Sequence, residues 1–154
     1  MTSSTDRIEK EILLKATRAR VWRALSEAEE FGKWFGVALK GQTFAVGRRV
    51  RGLINGGCGH ENVMFDALVV EMKPERLFSY RWHPYAVDAT IDYTKEETTL
   101  VVMELTDVEG GTLLKVFESG FDKVPATRRL EAFRLNSGGW EAQLQNIAKY
   151  VRTS

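Results

Sequence analysis

From Ile8 to Leu14 the chain alternates: Ile8, Ile12 and Leu14 share one parity while Glu9 and Glu11 take the other, as in a half-buried strand. The period then changes. Thr17 can cap a helix in which Val21, Leu25 and Ala28 fall at i, i+4 and i+7, and EAEEFGKWFG continues it into an aromatic-rich turn. A short helical pair ending near Trp34 and Phe35 is the expectation. Short apolar runs follow, FAVG, RRVRGLI, VMFDALVVEM, RLFSYRW, TTLVVMEL and TLLKVFES, separated by the turn signals NGGCG, KPE and DVEGG. That succession reads as an antiparallel meander.

The final stretch poses a conflict. LNSGGWEAQLQNIAKYV has a helical pattern, yet carries Gly138 and Gly139 side by side, each costing about 1 kcal/mol relative to alanine inside a helix. Counting about 100° per residue from Trp140, the positions Leu130, Phe133, Leu144, Ile147 and Val151 stay on one side of the axis. A break at the glycines would reset that phase. One helix is therefore predicted from about residue 126 to about residue 152, with Gly138 pointing away from the stripe and Gly139 on its flank. The whole order, a strand, two short helices, a run of strands and a long amphipathic helix, is α+β: an antiparallel sheet wrapping its apolar face around one helix.

Length and charge narrow the role. The 154 residues suit one domain spanning 1–154, and 22 Lys+Arg against 21 Asp+Glu leave a formal charge of +1. Such a balance gives no field that would favour a nucleic acid or an anionic membrane surface. The single cysteine, Cys58, forbids an intrachain disulfide and suits a reducing compartment. The opening MTSSTDRIEKEILL lacks the apolar run of a signal peptide, and no segment approaches about 18 consecutive apolar residues, so a soluble, cytoplasmic protein without membrane insertion is expected. Nothing in the pattern speaks to oligomeric state.

Several pieces together carry a resemblance: ATRARVW at 16–22, Trp34-Phe35, PERLFSYRW at 74–82, Gly110-Gly111-Thr112, ESGF at 118–121 and Gly139-Trp140. In order and spacing the chain resembles the START-related helix-grip superfamily, also called SRPBCC. Within it, the similarity is to the family of the C-terminal domain of the activator of the 90-kDa heat-shock-protein ATPase. The resemblance implies a helix-grip fold, a curved antiparallel sheet around a long C-terminal helix with two short helices after the first strand. It also implies a cavity between sheet and helix. The eukaryotic activators carry a further N-terminal domain for which this chain has no room.

Strand parity indicates what faces that cavity. In RLFSYRW the rings Phe78, Tyr80 and Trp82 share a side, opposite Ser79 and Arg81. In TLLKVFES, facing Leu113, Lys115 and Phe117 inward would bury a lysine, so Leu114, Val116 and Glu118 are assigned to the interior. Val101, Met103 and Leu105 extend this face, with Trp140, Leu144 and Ile147 opposing from the helix. The expected ligand-contacting set is Trp34, Phe78, Tyr80, Trp82, Met103, Glu118, Phe121, Trp140 and Leu144. Glu118 is the one carboxyl among them and the best placed for proton work. With no cationic neighbour its charged form would suffer desolvation, and glutamine would be the more stable residue there.

Other chemistry lacks support. Cys58-Gly59-His60-Glu61 has too few ligands for a structural zinc site and reads as a turn, and His83 before Pro84 reads as a surface residue. No P-loop, GxGxxG, GxSxG or HExxH motif occurs, so no metal, cofactor or assigned catalytic residue is expected. Three functions remain: a binding domain holding a small hydrophobic or aromatic ligand, oriented by Glu118 and Tyr80, without turnover; a co-chaperone or stress-response protein with a chaperone partner; and a cyclase or hydrolase using Glu118 as acid or base. The first is preferred.

Overall fold

A computed structural model describes residues 7–54, 64–83 and 96–153. Strand β1 (Arg7–Leu14) leads into helices α1 (Arg18–Ser26) and α2 (Ala28–Phe35). Strands β2 (Arg49–Leu53), β3 (Met64–Lys73), β4 (Leu77–Trp82), β5 (Thr99–Val108) and β6 (Gly111–Ser119) follow, and helix α3 (Arg129–Thr153) closes the chain. The strands form one antiparallel sheet in the order β1-β6-β5-β4-β3-β2. Strands β2 to β6 thus run as the predicted meander, and β1 returns beside β6 because the two helices lead the chain away to the opposite edge. A register shift in β3 between Val69 and Glu71 adds the local bend and twist of a bulge.

Local chemistry explains the ends of these elements. Thr17 caps α1 through its side-chain oxygen, which accepts from the Arg20 amide at 3.1 Å. Helix α2 stops at Gly36, whose left-handed φ of 92° a side chain would strain, and this fixes where Phe35 sits. The residues assigned inward on the strands, Phe78 and Tyr80, Val101, Met103 and Leu105, and Leu114, Val116 and Glu118, are all buried; Ser79, assigned to the outer side with Arg81, is buried as well. Trp140, Leu144, Ile147 and Val151 meet them from α3.

Helix α3 runs unbroken through Gly138 and Gly139, as the phase of its stripe required. It starts at Arg129 rather than near 126, because residues 125–128 form a turn closed by the Arg128 amide on the Pro125 carbonyl. Leu130 departs from the expectation: it is 64% exposed, and Ala132 is the buried residue of that turn. At about 100° per residue Leu130 lies on the far flank of the stripe, a position that the sheet does not reach. FAVG is a second departure. It forms no strand; the chain turns at Gly47 and only Phe44 enters the core. The CGHE segment lies outside the described residues.

Candidate functional site

The parity of β6 turns Glu118 into the interior, where it is fully buried. No arginine or lysine meets it among the described residues. Four neutral donors do instead. Its Oε2 accepts from the Thr99 hydroxyl at 2.6 Å and the Trp82 indole at 2.8 Å, and its Oε1 accepts from the Trp140 indole at 2.8 Å. The Asn136 amide nitrogen spans both oxygens, at 3.1 and 3.2 Å. Trp82 and Thr99 are cross-strand partners at the matching ends of β4 and β5, which brings both donors to one point. Asn136 and Trp140, four residues apart, lie on one face of α3 and reach the carboxylate from above.

The expectation of a bare carboxyl is therefore not met. Hydrogen bonds to a charged acceptor are the strong kind, and here they offset the cost of burying the charge. They also occupy both oxygens, so Glu118 has no vacant lone pair with which to orient a ligand or accept its proton. The carboxylate is a clamp on the aromatic wall.

That wall borders a half-open cavity of about 150 Å³ lined by Phe35, Trp82, Asn136, Gly139, Trp140 and Gln143. Three rings form its apolar part: Phe35 to Trp82 and Phe35 to Trp140 are both 6.0 Å between centroids, and Trp82 to Trp140 is 5.9 Å. Gln143 donates to the Phe35 carbonyl at 2.9 Å, tying α3 to the end of α2. Gly139 keeps the helix side open, since a Cβ there would meet nothing within 4 Å. The cavity thus falls between the sheet, the end of α2 and the middle of α3.

Of the nine residues expected at the site, Trp82 and Trp140 line this cavity and Glu118 stands directly behind them. Trp34 is turned beneath α1, its indole donating to the Ala24 carbonyl at 2.8 Å, while its neighbour Phe35 takes the place on the wall. Phe78 and Met103 are in the buried core, Phe121 packs on Phe133 at 5.2 Å, and Leu144 packs below Trp140 on the inner face of α3; none of these four bounds the cavity. Tyr80 is buried against Trp82 at 5.4 Å, and its hydroxyl has no hydrogen-bond partner among the described residues. Burial, and secondarily the charge of Glu118, push the Tyr80 phenol well above its ordinary pKa. His83 is half-buried rather than fully on the surface, with Nε2 3.0 Å from the Glu96 carbonyl.

Sequence reasoning missed Phe35, Thr99, Asn136, Gly139 and Gln143. A signal existed for the helical ones: positions 136, 139, 140 and 143 repeat at i, i+3, i+4 and i+7. Among the described residues no group of three His, Cys, Asp or Glu side chains is placed to hold a metal ion, and no helix is long and apolar enough to cross a membrane.

The curved six-stranded sheet, the two short helices after β1 and the long C-terminal helix define a protein of the α+β helix-grip class. The chain belongs to the family described as Activator of Hsp90 ATPase homolog 1-like protein, whose model matches residues 15–152. No curated protein matches it. Solved structures share the fold. Protein MLL2253 of Mesorhizobium loti superposes with a TM-score of 0.72 at 23% identity, covering 96% of this chain and 98% of that one. Protein NE0264 of Nitrosomonas europaea gives 0.71 at 17% identity, over 99% and 97%. DynU16, from the dynemicin biosynthetic locus, gives 0.70 at 20% identity, over 96% of this chain and 48% of its own.

Proposed function

We propose that this chain is a cytoplasmic binding domain that holds a compact hydrophobic or aromatic molecule between sheet and C-terminal helix, without turning it over. The observation that carries the reading is the pocket of about 150 Å³ beside the packed rings of Phe35, Trp82 and Trp140, whose two indoles are locked by Glu118. The rings pack on one another at contact distances and, with both indoles fixed by hydrogen bonds, present a preorganised wall to the pocket. A volume of about 150 Å³ suits a single benzene-sized ring. The filled lone pairs of Glu118 argue against proton transfer by that carboxylate.

Ligand-observed NMR with benzyl alcohol as probe tests this, alongside native mass spectrometry for a molecule that copurifies. Saturation transfer to the probe is expected in the wild type and should vanish in Gly139→Leu, whose side chain would fill the slot. Equal transfer in both proteins would overturn the assignment of the cavity. The family match supports a second reading, action on the ATPase of a heat-shock chaperone. A change in that ATPase rate on addition of the chain would favour it.

A further inference from the structure

The chemistry of the cavity wall goes beyond its shape. Three lining residues, Trp82, Asn136 and Trp140, aim their N–H groups away from the cavity and into the Glu118 carboxylate. What they turn toward the cavity is their electron-rich remainder. For the tryptophans this is the indole π-system, joined by the Phe35 ring. For Asn136 the hydrogen bonds decide which way the amide is flipped: Nδ2 must face the carboxylate, so Oδ1 faces elsewhere, and this oxygen has no protein donor among the described residues. Gln143 adds no cation. Its Nε2 is spent on the Phe35 carbonyl, and its Oε1 accepts from Asn146 at 3.1 Å.

Behind this wall lies a whole negative charge with no basic side chain against it. The four donors that hold the carboxylate supply partial charges only, so the net field reaching the cavity stays negative. Among the described residues no lysine or arginine lines the cavity to reverse it.

We infer, on the basis of the binding role proposed above, that the site selects a compact aromatic molecule bearing an O–H or N–H donor, neutral or cationic, and rejects anions. Asn136 Oδ1 is the acceptor that reads the donor, and Glu118 is the positioning residue that fixes the amide flip and sets the sign of the field. The π faces of Trp82, Trp140 and Phe35 favour a cationic group further.

Four probes of nearly equal shape separate the possibilities: toluene, benzyl alcohol, benzylammonium and benzoate, each titrated at pH 7 against wild type and Gly139→Leu. Benzyl alcohol is expected to bind up to about tenfold tighter than toluene, the worth of one good hydrogen bond. Benzylammonium should match or exceed it. Benzoate should be weaker than the alcohol by more than about tenfold. In Asn136→Leu the ratio of alcohol to toluene affinity should fall towards one. In Glu118→Gln the handicap of benzoate should shrink, and the wild-type series stands as the test even where that variant folds poorly. Benzoate binding as tightly as benzyl alcohol, or toluene equalling the alcohol, would overturn the inference while a Gly139→Leu-sensitive signal still upheld the cavity. Loss of any Gly139→Leu-sensitive signal across all four probes would sink the binding role itself, and this inference with it.

Discussion

Replacing Glu118 with glutamine is the sharpest perturbation available, because it keeps shape and removes one acceptor. The carboxylate faces donors only: two indoles, an amide nitrogen and a hydroxyl. Glutamine must put an NH₂ where one of its oxygens was. At the Oε1 position it confronts the Trp140 N–H; at the Oε2 position it confronts the Trp82 N–H. The Thr99 hydroxyl can rotate to accept, but an indole can only donate. One buried indole is therefore orphaned in either orientation, at a cost of about 1–3 kcal/mol, and the surviving bonds lose their charge assistance. Relief of the desolvated charge works the other way, and part of the loss is offset. A net destabilisation of about 2 kcal/mol at pH 7 is expected, the same sign as breaking any satisfied buried polar network. With a urea slope of about 1–3 kcal/mol/M, the unfolding midpoint should fall by about 1 M. Far-UV circular dichroism is the proper probe, since tryptophan emission would report the altered indoles as well as unfolding. A double-mutant cycle with Trp82→Phe or Trp140→Phe should show the glutamine costing less in one of the two backgrounds, where the orphaned donor is already gone. A glutamine variant as stable as the wild type, or more so, would refute the clamp and return Glu118 to the bare carboxyl that the sequence suggested.

Three further outcomes are expected. Tyr80→Phe removes a buried hydroxyl that has no partner among the described residues, so stability at pH 7 should hold or rise by up to about 1 kcal/mol in urea titrations. The Tyr80 pKa is raised in the fold, so the folded state keeps its proton longer than the unfolded chain; its share of stability is full below pH of about 10 and is lost as pH rises through the folded value. Denaturation at pH 7 and pH 11 should accordingly show a shallower alkaline loss in Tyr80→Phe, and an identical loss would mean that Tyr80 does not titrate in this way. Gly138→Ala adds a methyl that meets nothing within 4 Å on an unbroken helix, so thermal melts should show a gain of up to about 1 kcal/mol. Trp140→Ala empties part of the core and leaves Glu118 Oε1 with only the longer bond from Asn136, and a loss of about 3–5 kcal/mol should follow, with a value under about 1 kcal/mol contradicting the observed burial.

Local periodicity determined much of this molecule. The side-chain period of two on a strand settled that Phe78 and Tyr80, Val101 and Met103, and Leu114, Val116 and Glu118 would face inward, because a shift of one residue would have buried Lys115 and Arg81. The phase of the apolar stripe carried α3 across Gly138 and Gly139, since the sheet buries one continuous face and two glycines cost less than exposing half of it. The polar surroundings of Glu118 could not be read this way. Its donors lie 18 to 36 residues away along the chain, on β4, β5 and α3, and a carboxyl is bare or satisfied according to which elements converge on it. Composition near residue 118 holds no trace of that convergence. The exchange of Trp34 for Phe35 on the wall has the same origin: adjacent helix positions differ by about 100°, and only the docking of α2 against α3 decides which ring looks into the cavity. Sequence determined which faces are apolar; tertiary packing decided which of those rings border the half-open pocket and which close into solid core.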